Sequence, residues 1–126
     1  MLKNKVAIII PTQSKEGKTF DNIINVKQAM IKLSSLFGGC SSIAQNGAWI
    51  DDNGNLHTEE NTLVYAFAEV LNSDNLYTLV EYAKYICLEL NQWCISLEIN
   101  NCMMFIDATT NINEIIGGLS LWKMLM

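Results

Sequence analysis

The sequence predicts an α+β domain in which two helices pack on one face of a mixed or antiparallel sheet. Three observations support this class. Two segments have apolar residues at helical spacing, five short segments have the apolar content of strands, and turn-forming residues separate them. The resulting order, β-α-β-β-α-β-β, is a variant of the ferredoxin-like split βαβ arrangement. Because 126 residues without a repeat or a linker suffice for one hydrophobic core, residues 1–126 are predicted to form one domain.

The first strand and helix are the clearest elements. Residues 6–11 form a continuous β-branched run that predicts a strand buried on both faces and ended by Pro11. Apolar residues then recur at helical spacing from Ile23 to Phe37, and either Thr19 or Asp21 can cap this helix. Gly38-Gly39 predicts its end, since glycine adopts the left-handed conformation after a helix.

The middle of the chain predicts two strands and a second helix. Residues 42–50 indicate a strand that is irregular at Gly47, and residues 51–54 are a strong turn signal. Residues 61–71 are apolar on both faces, which is typical of a strand inside a sheet. A helix capped by Ser73 or Asp74 is predicted at about residues 76–92.

The last part predicts a hairpin and a short helix. Residues 94–99 and 102–107 are two strands, and Asn100-Asn101 between them fits a type I′ turn because asparagine accepts positive φ. Thr110 or Asn111 then begins a short helix. The end of the chain is apolar and is expected to pack on the sheet or on another subunit. Residues 108–126 are therefore a candidate oligomerisation tail.

Composition excludes several classes of function. The net charge is −5 and the chain has no arginine, which argues against a nucleic-acid-binding protein. Four cysteines without C-x-x-C spacing and one histidine argue against zinc, so no metal and no cofactor are predicted. No apolar stretch has the length of a membrane span or a signal-peptide core. The expected location is therefore the cytoplasm, with no membrane partner.

The segment TQSKEGKT, residues 12–19, resembles a phosphate-binding P-loop between a strand and a helix. Thr12 stands where the first glycine of that motif belongs, which argues against an NTPase. The same segment can still accept a phosphate without hydrolysis, through helix N–H groups and lysine. Its candidate ligand-binding residues are Thr12, Gln13, Lys18 and Thr19. The alternative is a polar, solvated loop.

A second candidate site combines Phe37, which precedes Gly38-Gly39, with the segment from Asn46 to Trp49. An aromatic ring flanked by small residues can stack on a nucleobase. The alternative is that Trp49 is an aromatic residue of the core or the sheet edge.

Catalytic residues are not evident in the sequence. His57 lies near Glu59 and Glu60, which can raise the pKa of an imidazole, but no serine or cysteine lies in a recognisable nucleophile motif. Asp51-Asp52 and the two glutamates do not have the spacing of an EF-hand loop. The sequence therefore predicts a binding protein and not an enzyme.

Residues 37–70, FGGCSSIAQNGAWIDDNGNLHTEENTLVYAFAEV, resemble small phage and prophage proteins, and among them the Thoeris anti-defence sponges. Those proteins bind cyclic ADP-ribose isomers made by bacterial TIR enzymes and do not degrade them. The resemblance implies a homo-oligomer, dimeric or larger, with pockets near subunit interfaces. It also implies Phe37, Asn46 and Trp49 as pocket residues. Arginine is expected opposite a pyrophosphate in such a pocket, so backbone N–H groups, Asn, Thr and Lys18 must replace it here.

Three hypotheses follow for the function. The first is a phage-type sponge that sequesters a cyclic ADP-ribose isomer and so blocks TIR-based immunity. The second is an acidic inhibitor that occupies the nucleic-acid site of a host protein, although the acidic residues are scattered thinly. The third is a small nucleotide-binding enzyme that uses Lys18 and Asp107, which the missing glycine at position 12 argues against.

Overall fold

The computed structural model describes the backbone of residues 1–125 and the side chains of residues 1–119. The predicted α+β class is confirmed, with five strands and a third helix that is longer than expected. In chain order the elements are β1 (Asn4–Pro11), α1 (Ile23–Phe37), β2 (Ser41–Ile50), β3 (Leu56–Ala68), α2 (Ser73–Glu89), β4 (Ile95–Ile99), β5 (Cys102–Ile106) and α3 (Ile112–Leu125). None of the helices in the described part of the chain is long and apolar enough to cross a membrane.

The five strands form one sheet in the order β2-β3-β1-β4-β5. Every neighbouring pair is antiparallel. This is the predicted ferredoxin-like arrangement, with β5 added as an outer strand beside β4. Because β1 is central, Ile8 is paired with Val64 on one side and with Leu97 on the other, and all three are buried.

The hydrophobic core lies between the sheet and the helices. Alternate residues of β1 point toward the helices, because side chains alternate between the faces of a strand. Helix α1 contributes Ala29 and Leu33, and α2 contributes a longer apolar stripe that includes Leu79, Val80, Ala83 and Ile86. Leu119 of α3 joins the same core, so part of the apolar tail packs on its own subunit. The apolar residues from Leu121 onward lie outside the described side chains.

Turn and end signals were predicted correctly where the backbone needs positive φ. Gly38 ends α1 with φ of 88°. Asn100 and Asn101 have φ of 50° and 69°, as the predicted turn between β4 and β5 requires. The N–H of Glu114 donates to Asn111 Oδ1 over 3.1 Å, so Asn111 is the residue that begins α3.

Some local predictions were wrong, among them the cap of α2 and the shape of β2. The cap of α2 is Asn72 and not Ser73 or Asp74, because Asn72 and Asn75 exchange side-chain to backbone hydrogen bonds in a capping box. The strand β2 is regular through Gly47, which pairs with Glu59 without a bulge. Gly47 instead leaves room for a neighbouring side chain, since a Cβ there would lie 3.2 Å from Nδ2 of Asn61.

We expect Asn72→Ala to lower the free energy of unfolding by about 1 kcal/mol, because it leaves N–H groups at the start of α2 without a partner. Urea denaturation measures this change. Ser73→Ala is the matched control and is expected to have a smaller effect. Equal losses in the two variants would contradict the assignment of the cap.

Candidate functional site

A cleft of about 360 Å³ opens where the end of β1, the start of α1 and the middle of the β2–β3 pair meet. We call it the polar cleft because most of its lining residues carry hydroxyl, amide or carboxylate groups. These are Thr12, Asn22, Gln45, Asn46, Glu60, Asn61 and Thr62. Two of the residues predicted to bind a ligand, Thr12 and Asn46, therefore lie in one site.

Thr12 fixes the chain at the point where it leaves β1. Its backbone N–H donates to Glu59 Oε1 over 3.2 Å, and its hydroxyl donates to the backbone oxygen of Glu60. Because Pro11 has no N–H to extend the strand, the chain turns here and these two bonds hold it against β3. The same bonds place the backbone of Glu60 at the edge of the polar cleft.

Asn22 is the buried polar side chain of this site. Its amide donates to the backbone oxygen of Ile10 over 3.1 Å and to Thr62 Oγ1 over 3.4 Å. Asn22 occupies the N-cap position of α1, which corrects the predicted caps Thr19 and Asp21, but its side chain makes no capping hydrogen bond. Asp21 nevertheless contacts the start of the helix, because the N–H of Ile23 donates to Asp21 Oδ1 over 3.0 Å. The other N–H groups of the first turn have no partner within the helix, and this partly positive end of α1 lies beside the polar cleft because Asn22 lines it.

Asn61 contributes an acceptor that the protein does not satisfy. Its Oδ1 is buried and has no hydrogen-bond partner within the described part of the chain. A buried carbonyl oxygen without a donor is costly, and such groups in native proteins call for an explanation such as a ligand or water. Asn61 pairs with Gln45, however, so its side chain lies on the face of the sheet opposite to Glu60 and Asn46, and a ligand held by those two residues does not approach this oxygen from the same side.

The charges of the polar cleft have a definite pattern. The positive end of α1 favours an anionic group such as a carboxylate or phosphate. The carboxylate of Glu60 favours a cation. Asn46 pairs directly with Glu60 and lies on the same face of the sheet, so its amide can hydrogen-bond the edge of a heterocyclic ring beside that carboxylate. The arrangement is complementary to a ligand that carries a carboxylate, a cation and a ring. Within the described residues there is no group of three metal-ligating side chains.

The other predicted residues of the segment 12–19 form a compact turn. The N–H groups of Ser14 and Gly17 donate within the turn, and that of Lys15 donates to the backbone oxygen of Asn91 over 2.9 Å. These three donors are therefore occupied and do not form a phosphate cradle. Gln13 and Thr19 face each other in a short bridge, and Lys18 is exposed. Their role in ligand binding stays a prediction.

Phe37 lies in a different cleft. It lines a cavity of about 450 Å³ together with Gly38, Gly39 and the aromatic rings of Tyr65 and Phe67. The structure therefore separates Phe37 from Asn46, although the sequence analysis placed them in one pocket. The reason is that Phe37 ends α1 at the opposite end of the helix from the polar cleft.

Trp49 lies at the exposed tip of the β2–β3 hairpin. Its ring stacks on His57 with a centroid distance of 4.3 Å, because the two residues pair directly across the hairpin. His57 Nε2 lies 2.7 Å from Asp51 Oδ2, so the partner of the histidine is Asp51 and not Glu59 or Glu60. This hydrogen bond lowers the pKa of the Asp51 carboxyl to about 2. Trp49 is thus in neither cleft.

Comparison with known proteins identifies the class of this fold. No family model and no curated protein sequence matches the chain. Two solved structures do match, and both are of a phage enzyme. That enzyme is a phage SAM lyase.

The first of these structures, in complex with S-methyl-5′-thioadenosine, has a TM-score of 0.61 and is 16% identical in sequence. The match covers 80% of this chain and 84% of the lyase. The second, in the apo state, has a TM-score of 0.56 and 18% identity, and covers 86% of this chain and 91% of the lyase.

This likeness corrects one prediction and refines another. The expectation that the chain is not an enzyme is contradicted, because the solved structures that share its fold are those of a lyase. The expected likeness to a phage anti-defence protein is supported in its coarser part, since the chain shares its fold with a phage protein. The matching protein is a SAM lyase, however, and not a Thoeris sponge.

Sequence reasoning missed six residues that line the polar cleft: Asn22, Ala44, Gln45, Glu60, Asn61 and Thr62. A signal was present in the polar run that leads into the apolar segment of β3. This run was interpreted as part of a turn, whereas β3 begins at Leu56 and includes it. Asn22 stands directly before the first apolar residue of α1, which is typical of a cap, although its side chain has another role.

The Asp51 carboxyl is expected to stay ionised well below the ordinary range of an aspartate. Its folded pKa of about 2 is lower than the ordinary value of 3.8, so the ionised form stabilises the hairpin tip at neutral pH. This contribution is fully present above the ordinary value and is lost as the pH falls through about 2. NMR titration of the side-chain carboxyl carbon measures it, with the exposed Asp52 as the internal control. An Asp51 midpoint near 4 would contradict the contact with His57.

Proposed function

We propose that this chain binds S-adenosylmethionine (SAM) in the polar cleft and cleaves it to S-methyl-5′-thioadenosine. The observation that supports this most is the fold match, over 80% of the chain, to a phage SAM lyase whose structure contains that thioadenosine. The polar cleft supports it independently, because its charge pattern suits this substrate.

The polar cleft has a complementary group for the anionic part, for one cationic part and for the adenosine part of SAM. SAM has an α-carboxylate, which the positive end of α1 can stabilise at Asn22. It has an ammonium group and a sulfonium, and Glu60 is the carboxylate of the cleft that can face one of them. The amide of Asn46, on the same face of the sheet as Glu60, can hydrogen-bond the adenine edge or the ribose. A cavity of about 360 Å³ lies within the usual range for small-molecule sites.

The chemistry of this substrate needs few catalytic groups. In the proposed step, an oxygen of the substrate's own carboxylate forms a bond to the γ-carbon while the bond between that carbon and sulphur breaks. The electron pair of the broken bond goes to sulphur, so a neutral thioether leaves and the amino-acid part becomes a lactone that keeps its ammonium group. A sulfonium is therefore a good leaving group without protonation, and the protein need not supply a general acid. Catalysis can come from holding the flexible four-carbon chain in a reactive conformation and from excluding water. The reaction therefore does not require His57, which is not among the residues that line the polar cleft.

Removal of SAM is a credible anti-defence activity for a phage protein. Methyltransferases of the host use SAM as their methyl donor, so an enzyme that destroys SAM deprives them of substrate. The predicted ligand, a cyclic ADP-ribose isomer, shares the adenosine part with SAM. It is therefore a useful comparison ligand in any test of this site.

We expect the purified chain to convert SAM to S-methyl-5′-thioadenosine, as measured by liquid chromatography and mass spectrometry. Glu60→Gln keeps the shape of the side chain and removes its charge, so we expect kcat/KM to fall by about 10- to 100-fold. Glu69→Gln is the matched control, since Glu69 is exposed and follows the far end of β3. A Glu60→Gln variant as active as the control would contradict the placement of the substrate.

A melting-temperature series distinguishes binding from cleavage. S-methyl-5′-thioadenosine should stabilise the chain, because a ligand that binds the folded state shifts the unfolding equilibrium. Stabilisation by cyclic ADP-ribose alone, with intact SAM, would contradict the proposed reaction. An absence of stabilisation by every nucleotide, with intact SAM, would contradict it as well and favour the acidic inhibitor.

A further inference from the structure

Among the residues that the structure describes, the edge strand β2 lacks the features that usually protect an edge from pairing with another strand. It has ten residues, Ser41–Ile50, and pairs with β3 on one side. Its sequence SSIAQNGAWI contains no charged residue and no proline, and its pairing with β3 has no bulge. Natural edge strands are usually short, charged, bulged or covered. The other edge strand, β5, has only five residues and is protected by its shortness.

We propose that β2 pairs with β2 of a second copy of this chain, antiparallel and about a two-fold axis at Gln45. A two-fold axis is the commonest symmetry of soluble oligomers and presents the same surface twice. Each chain has a net charge of −5, so two copies repel each other in general. An uncharged strand is a place where they can meet without bringing like charges into direct opposition.

The side chains of β2 are complementary to themselves in this register. On the sheet face that the helices leave open, Trp49 lies opposite Ser41 of the second copy, and Ile43 lies opposite Gly47. Trp49 and Ile43 are 60% and 50% exposed in the single chain, and each would face a small residue. At the axis, Gln45 lies opposite Gln45, where two amides can hydrogen-bond. This match of large with small residues favours a second copy over an unrelated strand.

The pairing also affects the polar cleft. Ala44 and Asn46 of β2 line that cleft, and in this register Asn46 of the second copy lies opposite Ala44, about 5 Å away between Cβ atoms. The second copy would therefore add an amide to the rim of each cleft. The pairing does not depend on the proposed SAM cleavage, and only this last consequence rests on it.

A charge-swap experiment tests the pairing in solution. Light scattering after gel filtration should give twice the mass of one chain for the wild type. Gln45→Lys and Gln45→Glu each bring two like charges together at the axis, so each variant alone should have the mass of one chain. An equal mixture of the two should recover the double mass. Gln28→Lys, on the exposed surface of α1, is the control and should behave as the wild type.

Wild-type chain that is monomeric at every concentration would overturn the proposal, and so would Gln45 variants that keep the mass of the wild type. The same samples are assayed for S-methyl-5′-thioadenosine. A dimer that leaves SAM intact contradicts the proposed function and not the pairing. A monomeric Gln45→Lys variant with full activity contradicts the role of the second copy at the cleft.

Disulfide trapping tests the register. Opposite residues of antiparallel strands have Cα atoms about 4.5–5.5 Å apart, which suits a disulfide. Gln45→Cys should therefore give a covalent dimer on oxidation. Ile43→Cys is the matched control, since two copies of residue 43 would be about 14 Å apart along the strands. Wild-type chain, with its four free cysteines, measures the background. Equal crosslinking at both positions, or none at residue 45, would overturn the register.

Discussion

The buried amide of Asn22 joins three elements at one point, and the polar cleft depends on that junction. Its hydrogen bonds to Ile10 and Thr62 hold the start of α1 against β1 and β3. A buried amide must be paired, and here its partners belong to the sheet. The Asn22 side chain therefore does not cap α1, although Asn22 occupies the N-cap position. The start of α1, where only the N–H of Ile23 is bonded to the Asp21 side chain, is thereby held beside the polar cleft. A core of apolar residues alone would have closed this corner, whereas a buried amide keeps a polar entrance open.

Much of the fold was predictable because the side chains that a helix or strand buries recur at a spacing typical of that element. The helical spacing in α1 and the β-branched run of β1 both survive in the core. Positive-φ turns were equally predictable, since few residues adopt that backbone conformation. The cap of α2 was not, because the segment Asn72-Ser73-Asp74-Asn75 consists of four residues that can all cap a helix. Only the packing of the chain before the helix selects one of them.

The site was predictable only in part, because a strand distributes its side chains over two faces. Asn46 and Trp49 are three residues apart in β2, so they lie on opposite faces of the sheet. A compact sequence motif therefore became two separate places, the polar cleft and the hairpin tip. Thr12 does line the cleft as predicted, but its backbone N–H bonds to Glu59 of β3 and is not part of a phosphate-binding loop. Glu60 belongs to a strand that extends further than its apolar residues indicate.

The expectation of a non-catalytic protein, which the fold match to a lyase contradicts, rested on one chemical assumption. It assumed that an enzyme needs a nucleophile or an acid–base pair, as acyl and phosphoryl transfer do. A sulfonium substrate already contains its activated leaving group, so orientation and charge complementarity can be sufficient. For such a substrate, a cleft with a helix end, a carboxylate and amides can serve as a lyase site, although the same groups are typical of a binding site. Where the substrate supplies the reactivity, a missing catalytic motif does not distinguish an enzyme from a binding protein.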